Sequence, residues 1–193
     1  MSTTGEDVEV DAGEVTAERI GWRQRLVDGQ DYWQRFSTIL VVGGCTVALL
    51  ATLHPSLILR NNTPTGGDMG AHVWAPAYLR DHLLTQFRLT GWSMDWYSGL
   101  PVYRFYMVVP ALAILLFDIV LPYGIAMKLV AVVGILALPW CAWKLGRMTR
   151  LAYPLPELFA VAATLFLYDE SFTIYGGNIA STMAGEFSFS IAL

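Results

Sequence analysis

Asp68, His72 and Glu186 are the residues of this chain whose types could move a proton or hold a cation, and each stands near glycine at the margin of an apolar run. Asp68 sits in the stretch TPTGGDMGAH, Thr63 to His72, with Gly66 and Gly67 before it and His72 four residues after it. Four residues is about one helical turn, so the carboxylate and the imidazole share a helix face, where they could pass a proton or ligate a divalent cation together. Asp68 also fits a simpler part, because an aspartate between a glycine turn and a helix caps that helix by accepting backbone N–H bonds. Glu186 lies between Gly185 and Phe187, where partial loss of water suits a carboxylate to acid–base work. The same position near a helix N-terminus would satisfy the helix dipole. Asp169 and Glu170 read as boundary charges at the end of an apolar run. Asp118 lies inside such a run, where an unpaired charge is expensive.

Arginines supply the opposite charge. Arg80, Arg88 and Arg104 interleave with Trp74, Tyr78, Trp92, Trp96, Tyr97, Tyr103 and Tyr106. Amphipathic aromatics collect at the headgroup level of a bilayer, so the spacing predicts helices lying on a membrane surface. The arginines then become candidate phosphate ligands. The turn-like Tyr175-Gly-Gly-Asn178 could approach a sugar or simply reverse the chain.

The elements that must hold these residues are apolar helices. Of 193 residues, 55% are hydrophobic and 15% charged, and the mean hydropathy is +0.47. Such a composition predicts an all-α, polytopic membrane protein of the cell membrane. The acidic net charge of -4 is concentrated in the first residues, Glu6, Asp7, Glu9, Asp11, Glu14 and Glu18, and it implies no nucleic-acid partner. Residues 1–36 read as a cytoplasmic tail, acidic then basic, disordered over 1–30 and unlike a cleavable signal. Cys45 and Cys141 fall in apolar runs and read as packing residues.

Spans are expected at about 37–59, 123–143 and 154–169, with a truncated one from 187, since a hydrocarbon core of about 30 Å needs roughly 20 apolar residues. The last run ends after seven residues, FSFSIAL, so the sequence reads as the N-terminal fragment of a larger bundle. Arg19, Arg23, Arg25 and Arg35 precede the first span and point the N-terminus to the cytoplasm. The apolar segment at about 105–121 carries Pro110 and Asp118 and reads as re-entrant or interfacial. Were it to cross, the basic loop with Lys144, Arg147 and Arg150 would lie outside, against the positive-inside tendency. With it only dipping in, Asp68, His72, Asp169, Glu170 and Glu186 share one extracytoplasmic face.

This order of features resembles a bacterial membrane domain family labelled pyruvoyl-tetrahydropterin synthase-related, allied to the GT-C glycosyltransferase superfamily. The resemblance covers roughly residues 37–193. It rests on the G-D-x-x-x-H stretch ending at His72, on G-x-P-x-x-x-F-Y at Gly99 to Tyr106, and on the acid at Glu186. It implies a GT-C-like bundle with interfacial helices in the first external loop and an essential acid there, at Asp68. It further implies transfer of a sugar from a polyprenyl-phosphate-linked donor to an envelope glycan, glycolipid or protein. Asp68 would then be the general base or a metal ligand and Glu186 a second acid. Arg80, Arg88 or Arg104 would neutralise the donor phosphate, and a divalent cation at Asp68 and His72 is an open possibility. The alternative is a non-enzymatic polytopic protein, a lipid-linked-substrate transporter or an envelope assembly scaffold. Protein partners are not indicated by the sequence.

Overall fold

The computed structural model describes residues 12–171 and 176–193, with side chains placed from residue 31 onward. It is mostly helical. Helix α1, Ala12–Leu53, begins well before the expected span. Residues 12–36 of the expected disordered tail are therefore helical, in a stretch with no proline to interrupt it, while residues 1–11 lie outside the described residues. The portion Asp31–Leu53 is long and apolar enough to cross a membrane. The helix stops at His54 (φ 51°), because Pro55 bars the residue before it from the helical region. A short helix, α2 (Pro55–Ile58), takes the chain onward, so the expected span to Leu59 is broken near its end.

The chain divides into two compact units, residues 1–40 and 41–193. In the first, Tyr32, Trp33 and Phe36 make edge-to-face ring contacts. In the second, the organising element is α5, Tyr123–Met148, whose 26 residues are also long and apolar enough to cross a membrane. Helix α6, Leu155–Leu167, turns back and packs along α5. Gly146 permits this approach, since a Cβ there would stand 2.9 Å from Pro156 Cα. At 13 residues, α6 is only about 20 Å long, short for a full crossing. The chain then re-forms as α7 (Ile179–Ser181), a π-turn (Thr182–Glu186) and α8 (Phe187–Ala192). Helix α8 runs against α5 so closely that a Cβ on Gly134 would meet Ser190 O at 2.3 Å. Because α5 and α6 form a hairpin, the basic turn with Lys144, Arg147 and Arg150 lies at one end of α5. Tyr123, Met127 and Phe187 cluster toward the other.

The first loop is the departure from an all-helical expectation. Helix α3, Met69–Tyr78, continues through a π-turn (Leu79–Leu83) and a 3-10 turn (Leu84–Gln86). Instead of further surface helix there follows a two-stranded antiparallel ribbon, β1 (Gly91–Ser93) with β2 (Leu100–Val102), in register Trp92 opposite Pro101. Gly99 (φ 115°) closes the ribbon under the Trp92 ring, which a Cβ would strike at 2.5 Å.

Helix α4, Val108–Asp118, is 11 residues long, about 16 Å. Its flanks are both tied to α3 and its continuation, Tyr106 beside His72 and Asp118 beside Arg80. Helix α4 therefore runs beside α3 and in the same direction. Pro110, Ala111, Ile114 and Leu115 face inward, while Val109, Leu116 and Phe117 are exposed. Three apolar clusters complete the core: Leu49, Leu53 and Leu167 on Ile135; Met69, Ile114 and Phe187 on Met127; and Leu79, Val102 and Leu115 beneath the ribbon.

Candidate functional site

Two glycine turns build the site by mating backbone to backbone. Gly66 (φ 100°) and Gly67 (φ 49°) turn the chain into α3, with Met69 N–H donating to Gly66 O at 3.1 Å. Asp68 N–H then donates to Ala184 O at 2.7 Å, across to the π-turn before α8. No side chain fits between the two: a Cβ on Gly67 would stand 2.3 Å from Ala184 O, and one on Gly185 (φ 129°) 3.0 Å from Asp68 Cβ. Asp68 and Glu186, far apart in sequence, are thereby brought to one place.

Asp68 occupies the N-cap position of α3, yet its carboxylate accepts no capping bond. The capping is done by its main chain, whose carbonyl accepts from Ala71 N–H (3.1 Å) and His72 N–H (3.3 Å). Glu186 repeats the pattern at α8: it stands at the N-cap, half-buried, with no side-chain capping bond. Neither acid forms a salt bridge among the described residues. Neither carboxylate therefore caps its helix through a hydrogen bond, although both stand at a helix N-terminus, where the dipole favours a negative charge.

His72 lies one turn along α3 and is buried. Its ring sits edge-on to Phe187 at 4.8 Å and near Tyr106 at 5.5 Å, with Nε2 3.5 Å from Tyr106 Oη. Burial lowers its pKa below the ordinary 6.5, and the charge of Asp68 pulls weakly the other way. For Tyr106 burial, then Glu186, then Asp68 push the hydroxyl pKa up, so the phenol keeps its proton. Tyr106 is the functional candidate that sequence reasoning missed, because among so many interfacial aromatics it read as an anchor. Its spacing from Gly99 in the G-x-P-x-x-x-F-Y stretch was the available signal.

These groups stand at one end of a cavity of ≈ 260 Å³. Asp68, His72 and Tyr106 form its polar end; Trp74, Trp96, Val102, Phe105, Ile114 and Phe187 are among its walls. Tyr103 also lines it, but its hydroxyl is buried without a hydrogen-bond partner. From the cavity wall, Trp74 stacks on Tyr78 at 5.0 Å, and Tyr78 meets His82 at 4.7 Å.

The arginines do not converge on the cavity. Arg80 donates to Asp81 (2.8 Å) and to Asp118 (2.7 Å) and lies over the Tyr123 ring at 5.6 Å. The costly Asp118 is thereby paired, and the guanidinium expected to meet a phosphate is occupied by two carboxylates. Arg88 and Arg104 are exposed and do not line the cavity. Asn178, expected to meet a sugar, is buried and caps α7: it accepts from Ser181 N–H (2.8 Å) and donates to Asp169 O (2.7 Å). The N-x-x-S pattern held that signal. Tyr175 lies outside the described residues. Asp169 accepts from Ser171 N–H at 2.9 Å and stays exposed, as does Glu170.

A divalent cation at Asp68 and His72 finds no complete ligand set here. Among the described residues no group of three or more His, Cys, Asp or Glu side chains could hold a metal ion. No family model, curated protein or solved structure matches the chain.

Proposed function

We propose that this chain is a multi-pass cell-membrane glycosyltransferase of GT-C type, with its N-terminus cytoplasmic, that moves a sugar from a polyprenyl-phosphate-linked donor on the extracytoplasmic face. The observation that carries the reading is the junction of Asp68 N–H with Ala184 O. Through it two carboxylates, neither used for a capping bond or ion pairing, come close together, and one of them, Asp68, lines an apolar cavity. Among the described residues two helices are long and apolar enough to cross a membrane, which supports a membrane location.

In this reading the acceptor hydroxyl attacks the anomeric carbon of the donor. Its oxygen forms the new glycosidic bond, the sugar–phosphate bond breaks, and polyprenyl phosphate leaves with the bonding pair. Asp68 takes the hydroxyl proton as general base, and Glu186 orients the acceptor or shares the proton. The apolar wall holds the first part of the lipid chain and keeps water from competing with the acceptor. The same wall would also serve a carrier of lipid-linked substrate, which is the second reading.

Mutation separates them. Membranes from cells producing the protein are supplied with a polyprenyl-phosphate hexose and assayed for transferred sugar. Asp68→Asn is expected to lower transfer by about 100-fold or more, and Glu186→Gln by less. Asp68→Asn transfer within a few-fold of the parent would overturn the catalytic assignment and leave the carrier.

A further inference from the structure

Resting on the transferase reading, we propose that Tyr106 is a catalytic residue whose phenol O–H donates to the substrate oxygen that gains charge, and that His72 is the positioning residue aiming it. The observation beneath this is a mismatch of charge. Asp68 lines the polar end of the cavity and the charge of Glu186 also bears on Tyr106, yet a phosphate-bearing substrate is itself an anion, and the three arginines available by sequence stand elsewhere. Arg80 is taken by Asp81 and Asp118, and Arg88 and Arg104 do not line the cavity. The donors that do line its polar end are uncharged, Tyr106 and His72 together with Ser188 on α8.

Geometry orders the first two. His72 is buried between Phe187 and Tyr106, so its ring has little freedom, while Tyr106 is 53% exposed and reaches the cavity. With the imidazole neutral and Nε2 bearing its hydrogen, the 3.5 Å contact runs from His72 N–H to Tyr106 Oη. That leaves the phenol proton directed away from the imidazole, toward the carboxylates or a substrate oxygen. A hydroxyl whose acceptor side is already filled is a better donor, because the bonds polarise one another. Such a donor acts where charge develops, as an oxyanion-hole group does, and adds no charge to compete with Asp68 and Glu186.

The test is a mutant cycle in the same membranes and with the same polyprenyl-phosphate hexose. Tyr106→Phe is expected to lower kcat by about 10- to 100-fold with KM nearly unchanged, since the bond matters in the transition state. His72→Gln keeps an N–H able to reach Tyr106 and should retain most of the rate, whereas His72→Leu should lose as much as Tyr106→Phe. The double variant Tyr106→Phe with His72→Leu should be no worse than either alone, as two members of one relay are not additive. Circular dichroism on the purified variants excludes loss of fold, and Tyr106→Phe removes only one half-exposed hydroxyl. A kcat for Tyr106→Phe within twofold of the parent, or strictly multiplicative losses in the double variant, would overturn the inference. Asp68→Asn distinguishes the two failures: if it abolishes transfer while Tyr106→Phe does not, the relay is wrong and the transferase reading stands.

Discussion

Gly67→Ala tests the junction on which the site depends. The added methyl would stand 2.3 Å from Ala184 O, a backbone atom that cannot rotate away, so the two turns must separate by the better part of an ångström. Two costs follow. An alanine held at φ 49° costs about 1–2 kcal/mol relative to glycine. Losing the 2.7 Å bond from Asp68 N–H to Ala184 O costs about 1 kcal/mol more. Together they weaken the junction by roughly 2–3 kcal/mol, or about 30- to 150-fold in its closed population. Hydrogen–deuterium exchange by mass spectrometry on peptides covering residues 64–72 and 182–188 reads this directly as faster exchange at Asp68 N–H. Two neighbours serve as controls. Gly66 has φ 100° but open space around its Cβ position, so Gly66→Ala should bring backbone strain without the collision. Gly70 lies in α3 with nothing within 4 Å, so Gly70→Ala should be neutral or stabilise by up to about 1 kcal/mol. Exchange in Gly67→Ala no faster than in Gly70→Ala would refute the claim that this contact holds Asp68 to Glu186.

Other perturbations separate structural from chemical roles. His72 has a folded-state pKa below its ordinary 6.5, chiefly through burial, so the unfolded chain binds a proton first as pH falls. Stability should therefore be full above about 6.5 and decline as pH drops through and below that value. Thermal unfolding in detergent between pH 7.5 and 5 should show a smaller decline in His72→Gln, and equal declines would remove His72 as the cause. Arg80→Gln should cost about 1 kcal/mol rather than the several expected of a buried pair, because the guanidinium is 45% exposed. Its effect should fall on stability with donor KM unchanged. A tenfold rise in KM at unchanged stability would return Arg80 to the phosphate.

Helix positions were readable because hydrophobic runs announce themselves. The reading of about 154–169 encloses Leu155–Leu167, the start at 187 coincides with α8, and 105–121 encloses Val108–Asp118. Breaks were harder to see. His54-Pro55 carried its own signal for ending a helix, but an uncharged run masked it. The ribbon at Gly91–Val102 has three-residue strands, too short for an alternating pattern, and its aromatics suited an interfacial helix equally well. Side-chain commitments were the least legible. Nothing local in the sequence tells that Arg80 would meet Asp118, since the pairing depends on α4 returning beside α3. The same return sets Tyr106 against His72.

That return brings two polar contacts to the flanks of one short helix. Helix α4 is short, its buried face is apolar, and its two flanks carry its polar contacts to α3 and the π-turn that continues it. Arg80–Asp118 fixes one flank and His72–Tyr106 the other. The arginine spent on Asp118 is therefore unavailable to a substrate. The cavity has one acid, Asp68, and neutral donors at its polar end and no Lys or Arg among its lining residues. Under the proposed function, an anionic lipid-linked substrate entering it would be held by its apolar chain, with polar contacts chiefly orienting it. On that reasoning, binding should depend on the walls at Trp74, Trp96 and Phe105, and the rate on Asp68 and Tyr106.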